Sequence, residues 1–228
     1  MAAGSGGETG GAVRAVTTLR ERKKLRTRDA LAAAALKLSA ERGFESVTID
    51  EIAAAADVSR RTFFRYFPTK EAALFPDYAR RLARFRAELA AARDGETPFA
   101  TVERAFAAIA RVYVRERDEI VAQQRVVDAS SALIAYERTL DRGWERAVAD
   151  AFEARTRTPG GAGGRAGRRA RVLAGATMGA VRATLREWLD AGGRPDLGAL
   201  ARETFAQLAG AEALQERSPG PAKTRGRR

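Results

Sequence analysis

Residues 47–75 read VTIDEIAAAADVSRRTFFRYFPTKEAALF, and this stretch decides the architecture. Thr48 followed by Glu51 has capping-box spacing and opens a short helix, Ile49 to Ala56, with Ile49, Ile52 and Ala53 turned inward. Asp57 and Val58 form a tight connection to Ser59, a good N-cap for a second short helix through Arg60 to Phe67. Pro68 ends it, because proline removes a backbone donor and clashes with the preceding turn. Two short capped helices joined by a few residues, with another helix before them, have the dimensions of a helix-turn-helix.

The second helix is unusually basic and aromatic. On a 3.6-residue period Phe63 and Phe67 share one face, leaving Arg60, Arg61, Phe64, Arg65 and Tyr66 mostly toward the other. No acidic residue lies between Ser59 and Thr69 to neutralise the arginines. A guanidinium can bind a guanine edge bidentately or hold a phosphate, so the outward face suits a DNA major groove. Hydroxyls and free backbone N–H groups near Thr48, Ser59 and Thr62 are candidates for phosphate contacts that set the register, and Lys70 for a clamp on the backbone beyond.

Outward from this unit, apolar residues recur at three and four positions and no two-residue alternation persists, so the chain is predicted to be all-α. Ala30, Leu31, Ala34, Ala35 and Leu38 make one face of a first helix over Thr27 to Arg42, which Gly43 stops. Thr69 caps a helix from Lys70 that Pro76 kinks or splits before it continues past Arg93. Pro98 suits the first position of a long helix that frays near Arg117. Further helices are expected over Glu119 to Ala129, Ser131 to Arg157, Arg165 to Ala191 and Asp196 to Gln215, with a Gly-rich connector at Pro159 to Gly164.

Charge supports the same reading. The 228 residues carry 41 Lys plus Arg against 29 Asp plus Glu, a net charge of +12, which favours a polyanionic partner. The surplus sits at the two ends: 13 bases against 8 acids in residues 1–70, 23 against 21 in 71–216, and 5 against none in 217–228. The absence of Cys and His removes zinc fingers, thiolate and imidazole metal sites, disulfides and imidazole-based triads, and no cofactor is expected. No apolar run approaches the roughly 18 residues of a membrane span, and residues 1–11 lack the features of a secretory signal. No membrane association is expected, and a cytoplasmic location follows by default.

The quoted stretch resembles the N-terminal DNA-binding domain of TetR-type transcriptional regulators. The positions that carry the resemblance are Thr62, Phe63, Phe64, Arg65, Tyr66, Phe67, Lys70 and Glu71, preceded by the Gly43–Phe44 pair; Tyr66 stands where the family more often has His. The resemblance implies base and backbone contacts for Arg60, Arg61, Phe64, Arg65 and Tyr66, and phosphate contacts for Thr48, Thr62 and Lys70. The C-terminal part is similar to the mycofactocin-associated subgroup at Arg125, Ser131–Ala132–Leu133, Trp144–Glu145 and the stretch from Arg171 through Arg182 and Trp188 to Gly193. That similarity implies an acyl-CoA or another amphipathic acid as effector.

The expected organisation is a flexible arm (1–20), a three-helix DNA-binding domain (21–68), a helical effector-binding and dimerisation domain (69–216) and a disordered basic tail (217–228). Phe106, Tyr113, Arg125, Trp144 and Met178 are the candidate pocket residues, with Arg125 available for an anionic head. Val172, Leu173, Met178, Val181, Leu185, Leu189, Leu197, Leu200, Phe205 and Leu208 are candidates for a seam between two subunits. A single reading helix covers few bases, so a two-fold dimer on a palindromic operator is expected, acting as a ligand-responsive repressor. An activator or architectural DNA binder uses the same domain. A helical enzyme with carboxylate-only chemistry is the alternative of another class, for which no focused carboxylate pair is found.

Overall fold

The computed structural model describes residues 18–91, 93–156 and 163–217, and every regular element among them is a helix. In chain order these are α1 (Leu19–Arg42), α2 (Ile49–Ala55), α3 (Arg60–Tyr66), α4 (Lys70–Leu74), α5 (Tyr78–Ala90), α6 (Pro98–Arg115), α7 (Arg117–Asp128), α8 (Ser131–Thr156), α9 (Gly163–Asp190) and α10 (Leu197–Arg217).

The first helix starts at Leu19, eight residues before the expected Thr27. The reason is a second capping box: the Glu21 backbone N–H donates to Thr18 Oγ1 at 3.2 Å while the Glu21 carboxylate accepts from the Thr18 N–H at 2.8 Å. Residues 19–26 have only Leu19 and Leu25 among charged side chains, and these fall on different helix faces, so apolar periodicity could not see the segment; the Thr-x-x-Glu spacing could. Pro76 splits rather than kinks its helix, with α4 ending at Leu74 and α5 starting at Tyr78. Gly163 and Gly164, read as loop, begin α9. The rest of the expected Gly-rich connector, most of the N-terminal arm and the tail beyond Arg217 lie outside the described residues.

Three clusters hold the described residues together. The first joins Leu31, Ile52, Phe63 and Leu74 of α1–α4 to Val126, Val127 and Leu133 of α7 and α8. Polar stitches reinforce this joint. The Ser130 hydroxyl donates to Glu45 Oε1 at 2.5 Å, and the Gln123 amide donates to the Leu74 carbonyl. Arg28 lies 3.6 Å from Asp77, and the Phe75 and Tyr136 rings pack at 5.6 Å.

The second cluster is aromatic, with Phe85, Phe106, Phe152 and Phe205 buried between α5, α6, α8, α9 and α10. Here α5 approaches α8 at Gly143, where a Cβ would collide with the Tyr78 hydroxyl; that hydroxyl donates to the Leu140 carbonyl at 2.8 Å. The third cluster centres on Trp188, fully buried, whose indole N–H donates to the Pro195 carbonyl at 3.0 Å. Gly193, at φ 69°, lets the backbone pass beneath Trp188 and Arg117, where a side chain would clash.

Burial also corrects the expected seam. Met178, Leu197 and Phe205 belong to the chain's own core, so they are not available to a second subunit. Val172 is 64% exposed, and Leu173, Val181, Leu185, Leu189, Leu200 and Leu208 are half-buried. Helical spacing had grouped residues from inward and outward faces because both carry apolar side chains. Among the described residues no helix is long and apolar enough to cross a membrane.

Candidate nucleic-acid interface and helical cavity

The reading unit is built from local signals. Thr48 caps α2 and Ser59 caps α3, the latter accepting from the Thr62 N–H at 3.1 Å. Between them Asp57 takes a left-handed φ of 53°, which short polar side chains tolerate better than bulky ones. The turn closes with the Val58 N–H donating to the Ala53 carbonyl at 2.9 Å. Phe63 is completely buried and Phe67 nearly so, and each buried aromatic contributes about 1.5–3 kcal/mol to fixing α3 on its support.

With those two rings turned in, Arg60, Arg61, Phe64 and Arg65 are exposed on the other side; Phe64 retains 46% of its surface. Phe64 stands edge-on to Phe63 at 5.6 Å, so the inner ring orients the outer one. Tyr66 is half-buried against the first core and carries the Arg65 guanidinium 5.3 Å from its ring centre. It is therefore partly a packing residue.

No acid lies within α3, but Arg60 finds one on the neighbouring helix. Its guanidinium donates to Asp50 Oδ2 of α2 at 2.7 Å and lies over Phe64 at 5.6 Å. The acid comes from the adjacent helix, ten residues away, where inspection of α3 alone cannot find it. Both members are more than half exposed, so solvent screens the pair and it contributes little to stability.

The candidate phosphate ligands are already employed within the fold. Thr48 Oγ1 donates to the Glu51 carboxylate at 2.8 Å, and Ser59 Oγ and Thr62 Oγ1 share a hydrogen bond at 3.1 Å. The Thr48 backbone N–H, contributing most, then the Thr48 hydroxyl and the Arg42 guanidinium hold the Glu51 carboxyl down at about 2. Lys70 Nζ donates to the carbonyls of Phe44 and Val47, each at 2.8 Å, and sits 4.1 Å from the Phe44 ring centre. Its ammonium locks the turn between α1 and α2 and keeps one N–H to spare.

A cavity of about 120 Å³ lies between α6, α8, α9 and α10. Four of the five candidate pocket residues, Phe106, Tyr113, Trp144 and Met178, line it. Arg125 does not: it is exposed on α7, away from the lining. Besides Tyr113 and Trp144, the polar side chains at the cavity are Asp141, Arg182, Thr184 and Thr204, the Asp141 carboxylate lying 3.5 Å from Arg182. Both charged residues sat one turn from lining residues already named, Asp141 three before Trp144 and Arg182 four after Met178, and that spacing could have found them. Burial pushes Asp141 and the neighbouring Glu137 above the usual carboxylate range, for Asp141 against the pull of Arg182.

Residues 31–75 match the model of the tetR family of bacterial regulatory proteins, and residues 96–213 match the MftR C-terminal domain. The chain is 36% identical over 123 residues to the HTH-type transcriptional regulator TcmR of Streptomyces glaucescens, covering 51% of this chain and 54% of that one. It is 30% identical over 118 residues to a putative mycofactocin biosynthesis transcriptional regulator of Mycobacterium tuberculosis, covering 50% and 58%. The matched stretch thus spans little more than half of each of these curated relatives. In three dimensions it resembles the FadR repressor of Thermus thermophilus, solved with lauroyl-CoA, at a TM-score of 0.50 and 24% identity, covering 88% of this chain and all of that one.

Proposed function

The chain belongs to the TetR family of bacterial regulatory proteins, DNA-binding transcriptional regulators rather than enzymes, and we propose that it acts as a ligand-responsive repressor. In this reading two copies form a dimer in the cytoplasm and place their α3 helices in successive major grooves of a palindromic operator. Residues 21–68 read DNA, and residues 69–216 bind effector and dimerise. The observation that carries the proposal is the arrangement of α3, with Phe63 and Phe67 buried beneath it and Arg61, Phe64 and Arg65 exposed above.

Arg61 and Arg65 are the proposed base-edge or phosphate ligands, Phe64 packs against the groove, and Arg60 joins them on leaving Asp50. Tyr66, Thr62, Thr48, Ser59 and the remaining Lys70 N–H set the register on the backbone.

The proposed effector enters beside Phe106, Tyr113, Trp144 and Met178, with Arg182 in place of Arg125 as the cation for an acidic head. An acyl-CoA or other amphipathic acid suits that chemistry. A cavity of about 120 Å³ holds a group of roughly benzene size, so a longer chain enters only as the surrounding helices part. A ligand that fits the parted state better shifts the population toward it. A coupling of about 1–3 kcal/mol weakens operator binding roughly 5- to 150-fold.

The test is selection of bound duplexes from a random or genomic pool by the purified protein. Paired half-sites about 10–10.5 base pairs apart, or a multiple of that, are expected. Recovery of DNA without any shared sequence would overturn the reading.

A further inference from the structure

The N-terminal third of α1 overhangs the body of the protein. Residues 19–26 are all exposed, and the first fully buried residue of the helix is Leu31. Five cations, Arg20, Arg22, Lys23, Lys24 and Arg26, lie in this overhang, and among the described residues none is ion-paired. Its acid, Glu21, is committed to the Thr18 cap. At 1.5 Å per residue the segment from Leu19 to Arg28 is about 13 Å long.

The direction in which these charges point follows from the helix period. The face that buries Leu31 and Ala35 against the DNA-binding unit continues backward, seven and eleven residues earlier, through Arg28, Lys24 and Arg20. Lys23 flanks it, whereas Arg22 and Arg26 fall on the opposite side. Arg28 marks where the overhang leaves the body. Its guanidinium lies 5.8 Å from the ring centre of Phe67, the residue that caps the C-terminal end of α3, and 3.6 Å from Asp77. The cationic face therefore emerges beside the reading helix and on the side where α2, α3 and α4 pack.

We propose that this overhang is a second DNA-binding element, in which Arg20, Lys23 and Lys24 hold phosphates of the duplex flanking each half-site. The proposal rests on the DNA-binding reading of α3 and extends the footprint without adding sequence preference, since phosphate contacts position a protein but carry no base information. Duplex DNA is the occupant because an unpaired cationic face emerging beside α3 is complementary to a phosphate backbone, while the two exposed leucines of the overhang, Leu19 and Leu25, lie off that face and about 120° apart and so make no apolar stripe for a protein partner.

Binding of the selected duplex is measured from 50 to 200 mM salt for the wild type, R20Q/K23Q/K24Q, R22Q/R26Q and Arg61→Ala. Three lost phosphate contacts make the slope of log affinity against log salt shallower by about 2.7 per bound arm, or about fortyfold less salt-induced loss over that range. The ranking of operator variants stays as in the wild type, and trimming the flanking base pairs weakens the wild type but not the triple variant. R22Q/R26Q keeps the wild-type slope, because its charges face away. Equal slopes in the wild type and the triple variant, or equal changes in both Gln variants, would overturn the proposal. Failure of the α3 reading looks different: Arg61→Ala then keeps the wild-type sequence preference, whatever the arm variants do.

Discussion

Replacing Lys70 with Met separates two roles that one side chain is asked to play. Met keeps the aliphatic stem but removes the ammonium, and with it two hydrogen bonds of 2.8 Å to the Phe44 and Val47 carbonyls and the cation–π contact at 4.1 Å. Hydrogen bonds from a charged donor contribute about 1.5–3 kcal/mol each, and the partial exposure of this site argues for the lower figure. The expected loss is therefore about 3 kcal/mol, or a fall in Tm of roughly 6–12 °C for a chain of this size. Chemical denaturation followed by circular dichroism measures the first, and differential scanning calorimetry the second. DNA affinity falls as well, because the turn that supports α2 loosens. If K70M unfolds at the wild-type midpoint while operator affinity drops and the salt slope decreases by about one, Lys70 is a phosphate ligand and the turn-locking argument is refuted.

Further outcomes are expected elsewhere. Gly143→Ala destabilises the chain by about 1–3 kcal/mol through collision with Tyr78, despite alanine's better helix propensity, and the penalty shrinks in a Tyr78→Phe background; a double-mutant cycle in urea reads the coupling. Asp50→Asn releases Arg60 and raises affinity for non-operator DNA, measured by titration of a scrambled duplex. Glu51 and Glu96 are both held down at about 2, by the Thr48 backbone N–H and by Arg104 respectively. The unfolded chain binds protons at these sites below about pH 4.5 while the fold does not. Stability they contribute is thus fully present above pH 4.5 and lost toward pH 2, and Glu51→Gln, which removes the titrating carboxyl, flattens that decline in acid-denaturation curves. Glu137 has the opposite sign, since burial raises it; Glu137→Gln stabilises the fold near neutrality, and the gain vanishes as acid protonates the native carboxyl.

What the sequence disclosed depended on the range of the interaction. The caps at Thr48 and Ser59, the stop at Pro68 and the helix start at Pro98 are set within three or four residues, and the helices begin and end there. The 3.6-residue period also sorted Phe63 and Phe67 from Phe64 correctly. The same period failed for α9 and α10, where an apolar side chain at a given register does not say whether its own core or another surface covers it; Met178 and Phe205 went inward while Val172 stayed out. Pairings set by how two helices cross, such as Asp50 with Arg60, have no local signature. Arg125 was singled out because a cation suits an acidic ligand. Asp141 and Arg182 occupy that place instead, each one helical turn from a lining residue already named, and the packing of α8 against α9 brings them together.

The joint between α1–α4 and the turn linking α7 to α8 bears on how such chains can evolve. The first core closes only when Val126, Val127 and Leu133 fill it, and Ser130 and Gln123 supply partners for Glu45 and Leu74. Recombination that exchanged the amino-terminal reader alone would open the first core and remove the partners that Ser130 and Gln123 supply to Glu45 and Leu74. A workable graft has to carry the α7–α8 elbow with it, so operator preference and the elbow are inherited together.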